Sequence, residues 1–469
     1  MNSFFIAIFT VVIVLGFMIL IHEFGHFAVA KLLGVRVEQF AIGFGKRLIG
    51  FRKGETDYRI NALPLGGYVK MSGENPMDRH SDDPREFVNH SRWHRFLIAI
   101  AGPSMNIALA IVLLTGVYMV HYEHAAAEDE AAVIGYVKTN SPAAKIGAQP
   151  GDRIVKIDGI ENPTWKQVLN RDALNVNQHL PVVLQRGGTT IQAEVVPQPI
   201  TVDQIGSSGW FPTEPVMVGA LELDMPAAKA GVQLGDRIVA VDGKSLGSMQ
   251  SLVDDLQETK GKPVDLTVER GDKTLHFTVQ PVLTKIPGES PSDANWFTRL
   301  LVKIGIGHPE AAKPEEQRYR VGFAGAPPPV TVGKLSLPEA FQRSLSENRS
   351  NSVLLVELVG KLVQHKVSLK TVSGPIGIAR MTGAAAQAGL APLLELTCLI
   401  SLNLGIFNLL PIPIMDGGVI LLLFIESLMR RDISLPVKER IYQAAFVFLV
   451  LFAIVIIFND ISKLGSGMP

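Results

Sequence analysis

Four stretches of this chain are so poor in charge that each could cross a membrane as a helix, and no other feature restricts its fold as much. A window of about 18 or more apolar residues spans a hydrocarbon core of about 30 Å. Residues 4–21, 96–120, 396–425 and 441–458 qualify, the first ending directly at His22. The third holds one acidic residue, Asp416, and is interrupted by Pro411, Pro413, Gly417 and Gly418, so a straight helix cannot account for it. The first lacks the basic start and small-residue cleavage site of a secretory signal, and its helical pattern continues through His26 toward Leu33. It reads as a retained span.

Charge then assigns the sides. Residues 31–95 carry twelve Lys/Arg, and the turn after the third span carries Arg430, Arg431, Lys438 and Arg440. The positive-inside rule puts both segments in the cytoplasm. Residues from about 121 to 390 and both termini then lie outside, in the periplasm of a bacterium. With 44 Lys+Arg against 44 Asp+Glu there is no global field to hold nucleic acid. The single cysteine, Cys398, excludes intrachain disulfides and a Cys-rich zinc site, so any metal has to use His and carboxylates.

The outer segment repeats itself. Residues 141–155 recur at 225–239, and Pro142, Gly147, Gly151, Asp152, Arg153, Ile154, Asp158 and Gly159 map onto Pro226, Gly231, Gly235, Asp236, Arg237, Ile238, Asp242 and Gly243 at a constant offset of 84. Each copy reads as a short helix, a Gly turn, a strand, an Asp-Gly hairpin turn and an amphipathic helix such as 248–256. This resembles the PDZ domain, which binds extended peptides or chain termini by adding a strand to a sheet edge. A competing reading is that the pair only fills space on the outer face.

The chemistry gathers at residues 22–26, His-Glu-Phe-Gly-His. Imidazoles four residues apart lie on one helix face and can bind one metal. Ionisable groups at the end of an apolar helix cost about 2 kcal/mol or more each unless paired or ligated. Zinc suits two neutral imidazoles plus a carboxylate with one open position, and Glu23 is placed as general base. Asp416 is the only acidic residue in its apolar stretch, after a Pro-Ile-Pro break and beside two glycines, and a carboxylate there calls for a cation.

His22 to His26 on a first span, Gly102-Pro103-x-x-Asn106 opening a second, and Asn408-Leu-Leu-Pro411-Ile-Pro413-Ile-Met-Asp416-Gly417-Gly418 on a third resemble the site-2 protease family of intramembrane zinc metalloproteases, in its bacterial four-span, double-PDZ form. The resemblance covers the whole chain. It implies one zinc held by His22, His26 and Asp416, Glu23 as catalytic base and Asn408 near the substrate backbone. It also implies that residues 41–70 form a β-rich loop dipping into the membrane from the cytoplasm; a soluble hairpin is the plainer alternative. Val419 stands where the family pattern often has His.

The expected fold class is thus a polytopic α-helical membrane protein of four transmembrane helices, with a membrane-associated β-rich loop and two tandem PDZ-like α/β domains. The expected plan is a first span (1–33), the β-rich loop (34–95), a second span (96–120), PDZ copies at 131–198 and 215–282, and a linker at 283–329. Amphipathic helices (330–390), a third span (391–426), a cytoplasmic loop (427–440) and a fourth span (441–459) complete it. By the same resemblance the enzyme sits in a bacterial inner membrane with its active site toward the cytoplasm. It cuts single-span proteins, an anti-sigma factor already trimmed outside and remnant signal peptides, with peptide termini at the PDZ copies and membrane lipid around it. The alternative from another class is a membrane-tethered PDZ scaffold or chaperone without catalysis; it needs neither Glu23 nor Asp416. A cysteine placed at Lys53 in a Cys398→Ser background should react with a membrane-impermeant thiol reagent only from the cytoplasmic side, and one at Lys244 only from outside; the reverse labelling would invert the topology.

Overall fold

The computed structural model describes residues 2–74, 83–125, 130–200, 205–286, 316–326 and 330–465. Among them four helices are long and apolar enough to cross a membrane, within Phe9–Leu32, Arg92–Val120, Leu390–Asn408 and Leu435–Ile461. At 1.5 Å per residue the shortest, of 19 residues, is about 28 Å long, just enough for the hydrocarbon core.

The helical unit begins with α1 (Asn2–Leu32), followed by β1 (Val37–Lys53), β2 (Thr56–Met71) and α2 (Arg92–Val120). Helix α2 is the hub, packing against α1 and against two helices described below. Small residues allow this. A Cβ on Gly25 would lie 2.5 Å from the Ala101 carbonyl oxygen, and one on Gly405 would lie 2.9 Å from that of Pro103. Strands β1 and β2 fold into a twisted sheet in which residues 37–42 pair with 67–71 on one side and Gln39–Ile42 also face Asp57–Ile60. Residues 67–71 therefore form an edge. Phe44, Leu48, Ile49, Phe51, Ile60 and Leu63 point outward on this sheet, an apolar surface that water would not favour.

The β-rich unit holds two copies of one plan. The first has β3 (Ile134–Val137), α3 (Pro142–Lys145), β4 (Arg153–Ile157), β5 (Ile160–Glu161), α4 (Trp165–Leu174), β6 (Leu180–Arg186), β7 (Thr189–Val195) and β8 (Trp210–Pro212). Its sheet runs β5-β4-β6-β7, and β8 pairs with β3. The second has β9 (Val216–Leu221), α5 (Pro226–Ala230), β10 (Arg237–Val241), β11 (Lys244–Ser245), α6 (Met249–Glu258), β12 (Val264–Arg270) and β13 (Lys273–Val279), then a hairpin of β14 (Val282–Ile286) and β15 (Glu316–Arg320), and β16 (Phe323–Gly325). Its sheet runs β13-β12-β10-β9-β16, with β11 beside β10.

The 84-residue offset reaches far beyond the repeated motif. Buried Ile154, Ile157, Val168, Leu180, Val182, Leu184 and Val195 correspond to buried Ile238, Val241, Leu252, Val264, Leu266, Val268 and Val279. Both amphipathic helices start with a capping box, on Thr164 and on Ser248. The turn residues Asp158 and Asp242 take φ of 46° and 49° ahead of Gly159 and Gly243. Asp152 accepts Nε–H and Nη2–H of Arg186, each at 2.7 Å, and Asp236 accepts the same pair from Arg270 at 2.7 Å. In the second copy Arg270 holds the Asp236 carboxyl below the ordinary carboxylate range. Tyr136 of the first copy donates to Asp254 of the second at 2.7 Å.

Part of the expected linker at 283–329 is structured: β14 and β15 pair, and β16 adds to the edge of β9. Alternating Tyr319, Val321 and Phe323 supply the pattern, masked in the sequence by the Pro/Gly-rich residues around them. Within the amphipathic region expected at 330–390, the apolar-periodic stretches 337–346 and 352–365 read as two helices, and they form one, α7 (Leu337–Val363). The polar run between them contains no Gly or Pro to break it.

The remaining helices are α8 (Pro375–Ala388), α9 (Leu390–Asn408), α10 (Asp416–Met429) and α11 (Leu435–Gly465). Helices α9 and α10 both pack on α2, and α8 packs on α1. The N-terminus of α8 is held by Asp460 of α11, which accepts the N–H groups of Gly374, Ile376 and Gly377 at 2.8, 2.9 and 3.1 Å. A carboxylate there meets both the orphan donors and the positive end of the helix dipole.

Asp172 gives the β-rich unit a pH dependence. It is 2% exposed, accepts Ser208 N–H at 2.9 Å and Ser208 O–H at 2.7 Å, and burial pushes its pKa up to about 6. A carboxyl raised in the folded state stabilises below its unfolded pKa near 4, and that contribution is lost as pH rises through about 6. Asp172→Asn should therefore gain on the wild type by roughly 2 kcal/mol between pH 4.5 and pH 7.5. Thermal unfolding of both proteins across that range measures it, and a constant difference would contradict it.

A candidate metal centre

Helix α1 carries His22, Glu23 and His26 near its C-terminal end. One helical turn puts both imidazoles on the face toward α2, where they are 7% and 8% exposed. Gly102 makes the room: a Cβ there would stand 2.3 Å from His26 Nε2 and 2.8 Å from His22 Nε2.

The carboxylate arrives from the far end of the chain. Helix α9 stops at Asn408, the Pro-Ile-Pro segment crosses the gap without helix, and Asp416 opens α10. Cβ atoms on Gly417 and Gly418 would each lie 2.3 Å from a carbonyl oxygen of that crossing, of Leu409 and Ile412 respectively, so only glycine permits the return. Ile414 has φ of 92°. A β-branched residue in that region costs on the order of 1–3 kcal/mol, which the packing around the break has to offset.

The result is a cluster of three donors. His22 Nε2 and His26 Nε2 are 3.2 Å apart, Asp416 Oδ2 is 3.1 Å from the first and Asp416 Oδ1 is 3.4 Å from the second. One ligand atom from each lies within 4.8 Å of the others. Asn408 Nδ2 is 3.4 Å from His22 Nε2. Glu23 stands outside the triplet, its Oε2 accepting the Val69 N–H of edge strand β2 at 3.0 Å.

The donor set fits a divalent cation. His26 Nδ1 donates to the Ile98 carbonyl at 2.7 Å, which leaves the Nε2 lone pair free. His22 Nδ1 faces the Asn106 side-chain amide at 3.2 Å, and Asn106 Oδ1 is buried without a partner among the described residues. A half-turn of that amide lets Oδ1 accept Nδ1–H and frees His22 Nε2 as well. Two lone pairs and a carboxylate at these distances repel one another unless a cation lies among them. Glu23, His26 and Asp416 also line a cavity of about 130 Å³, room for about four waters.

The five residues singled out by sequence, His22, Glu23, His26, Asn408 and Asp416, thus fall together around one point. Asn106 had been noted as part of a motif, without a role. Its signal was an amide in the middle of an apolar helix, where it is wholly buried. Arg95, Glu426 and Lys438, on the same cavity wall, were read only as part of the charge pattern or not at all.

The family model described as peptidase family M50 matches residues 10–452. The chain is 34% identical to the regulator of sigma-E protease RseP of Salmonella typhimurium, over 97% of this chain and 98% of that protein. It is 33% identical to the Escherichia coli K12 protein of the same name, over 99% and 100%. A putative zinc metalloprotease of Neisseria meningitidis is 30% identical over 95% and 96%. A solved PDZ domain of an SdrC-like protein from Listeria monocytogenes is 28% identical over 16% of this chain and 78% of its own, with a TM-score of 0.15.

Because Asn106 fixes the tautomer of His22, Asn106→Ala should weaken metal binding about 10- to 100-fold with the helices retained. Zinc titration of the purified variant, with circular dichroism as the check on folding, reads this directly; wild-type affinity would remove Asn106 from the site.

Proposed function

Because this chain belongs to peptidase family M50, the site-2 proteases, and is a zinc metalloprotease, we propose that it hydrolyses peptide bonds within or beside transmembrane segments, with His22, His26 and Asp416 as the zinc ligands and Glu23 as the proton carrier. The observation that carries this reading is the convergence of two imidazoles and a carboxylate, with Glu23 on the wall of the same cavity.

Bound there, zinc supplies a Lewis acid that polarises the scissile carbonyl and acidifies water at neutral pH. Val69 N–H holds Glu23 Oε2, leaving Oε1 to take a proton from the attacking water. Glu23 then returns that proton to the leaving nitrogen as the C–N bond breaks, so the water oxygen stays on the acyl carbon and the amine departs protonated. Asn408, through Nδ2, donates to the substrate backbone. The edge at residues 67–71 takes the substrate as an added strand, which unwinds it and brings its carbonyls within reach. The outward apolar side chains of the same sheet support its immersion in lipid rather than in water.

The Lys/Arg distribution supports a bacterial inner-membrane enzyme with the sheet of β1 and β2 on the cytoplasmic side, and with both termini and the β-rich unit in the periplasm. The two copies in that unit are PDZ domains, with 131–198 and 215–282 as their repeated cores. They meet peptide termini, or exclude substrates that still carry a bulky outer domain. The relatives named as regulators of sigma-E protease support a single-span anti-sigma factor, trimmed first on its outer side, as the substrate, with remnant signal peptides as further substrates.

Purified protein in vesicles with a single-span reporter tests the reading. Glu23→Gln should keep its zinc and lose cleavage by about 100-fold or more, whereas His22→Ala, His26→Ala and Asp416→Ala should lose both. Full zinc occupancy in Asp416→Ala, or near-normal cleavage by Glu23→Gln, would overturn the assignment.

A further inference from the structure

The cavity at the metal centre has a second polar end that the chemistry above leaves without a task. Glu74 belongs to the metal end: its charged neighbours are His26, Glu23 and Asp416, and its Oε2 accepts Met71 N–H at 3.2 Å. Arg95, Glu426 and Lys438 line the other end. Arg95, Ala99 and Gly102 share one face of α2, at i, i+4 and i+7. Gly102 abuts both imidazoles, so Arg95 stands about 10 Å farther along the helix axis, the length of about three extended residues.

Arg95 is 8% exposed, and its Nε is buried without an acceptor. Among the described residues its guanidinium makes no hydrogen bond or ion pair. The carboxylates around it are already engaged. Glu426 Oε1 receives Lys438 Nζ at 2.7 Å and Ile433 N–H at 3.1 Å, and Asp432 receives Arg92 Nη2 at 2.7 Å. Arg92 and Lys438 are thus each matched by a carboxylate, and Arg95 lines the cavity beside Lys438 without one of its own among the described residues. Holding a guanidinium there without an acceptor is unfavourable, which favours an anion that comes and goes as its partner.

Peptide hydrolysis makes one such anion. The acyl carbon becomes a carboxylate while the nitrogen leaves as an ammonium group, and the new carboxylate forms beside Glu23 and Asp416, which repel it. We propose that Arg95 is the binding site for the new C-terminal carboxylate of the cleaved peptide, drawing it away from the metal centre along the cavity. The proposal rests on the proteolytic reading above. A planar guanidinium suits a carboxylate because two parallel N–H groups can meet its two oxygens.

The test uses an apolar hexapeptide with a fluorophore at its N-terminus and either a free carboxylate or a carboxamide at its C-terminus, bound to the purified full chain and followed by anisotropy. The wild type should prefer the acid by about tenfold, and removing zinc with a chelator should leave that preference in place. Arg95→Gln should bind both peptides equally, while Arg95→Lys recovers part of the preference. Zinc content equal to the wild type marks each variant as folded. The proposal is overturned by a preference that vanishes with the zinc, by one that survives in Arg95→Gln, or by an Arg95→Lys protein that behaves as Arg95→Gln does. Reporter cleavage, measured in parallel, separates the two ideas. A wild type that cuts the reporter but shows no acid preference overturns the Arg95 site alone. One that keeps an Arg95-dependent preference without cutting supports the site and counts against the proteolytic assignment.

Discussion

The helical unit is arranged around three donors, two imidazoles and a carboxylate, whose close approach a cation among them would stabilise. Two imidazole nitrogens 3.2 Å apart, with carboxylate oxygens at 3.1 and 3.4 Å, are an unfavourable assembly in a low-dielectric surrounding. The backbone is shaped to hold them together. Gly25 and Gly405 bring α1 and α9 into backbone contact with α2, Gly102 clears room for the two imidazoles, and the break between α9 and α10 reverses the chain so that Asp416 faces α1. The backbone strain at Ile414 and the close returns at Gly417 and Gly418 are consequences of that reversal.

Around the donors lies a set of groups that hold the proposed ligands and the proposed base in place. The Ile98 carbonyl sets the tautomer of His26, Asn106 sets that of His22, and Val69 N–H holds one oxygen of Glu23. Two of the three come from α2, which explains why this helix is the hub of the unit. The third comes from an edge strand, so Glu23, the proposed proton carrier, and the edge proposed to receive an extended substrate are held to each other by one hydrogen bond. The cavity carries Glu23 and Asp416 at its metal end and Arg95 and Lys438 at the other.

The β-rich unit is built by a different economy. Each copy repeats the same buried positions, the same capping box and the same Asp–Arg pair at an offset of 84 residues. Each also takes a strand from chain beyond its repeated core, β8 in the first and β16 in the second. The Asp–Arg pairs join the turn after the short helix to the strand ending in Arg186 or Arg270, closing each copy on itself.

Local physics made much of this legible from sequence. Apolar windows of spanning length define helices because backbone polar groups in lipid have to be satisfied internally. His22 and His26 could be paired because one helical turn separates them, and the repeat was visible because turn chemistry demands Gly and Asp at fixed places. Asp416 could be singled out because an unpaired carboxylate in an apolar stretch is costly. What the sequence left open were relations between residues far apart in the chain. Asn106 and His22 are 84 residues apart, and Arg95 and Lys438 meet on one cavity wall across more than 300 positions. Neither periodicity nor composition encodes such distances. The strands at 316–325 were hidden for a related reason: a short edge strand gains its stability from the strand it joins, so its own residues carry little signal. Which groups are buried without a partner, and which tautomer each ligand holds, is decided only when the helices pack.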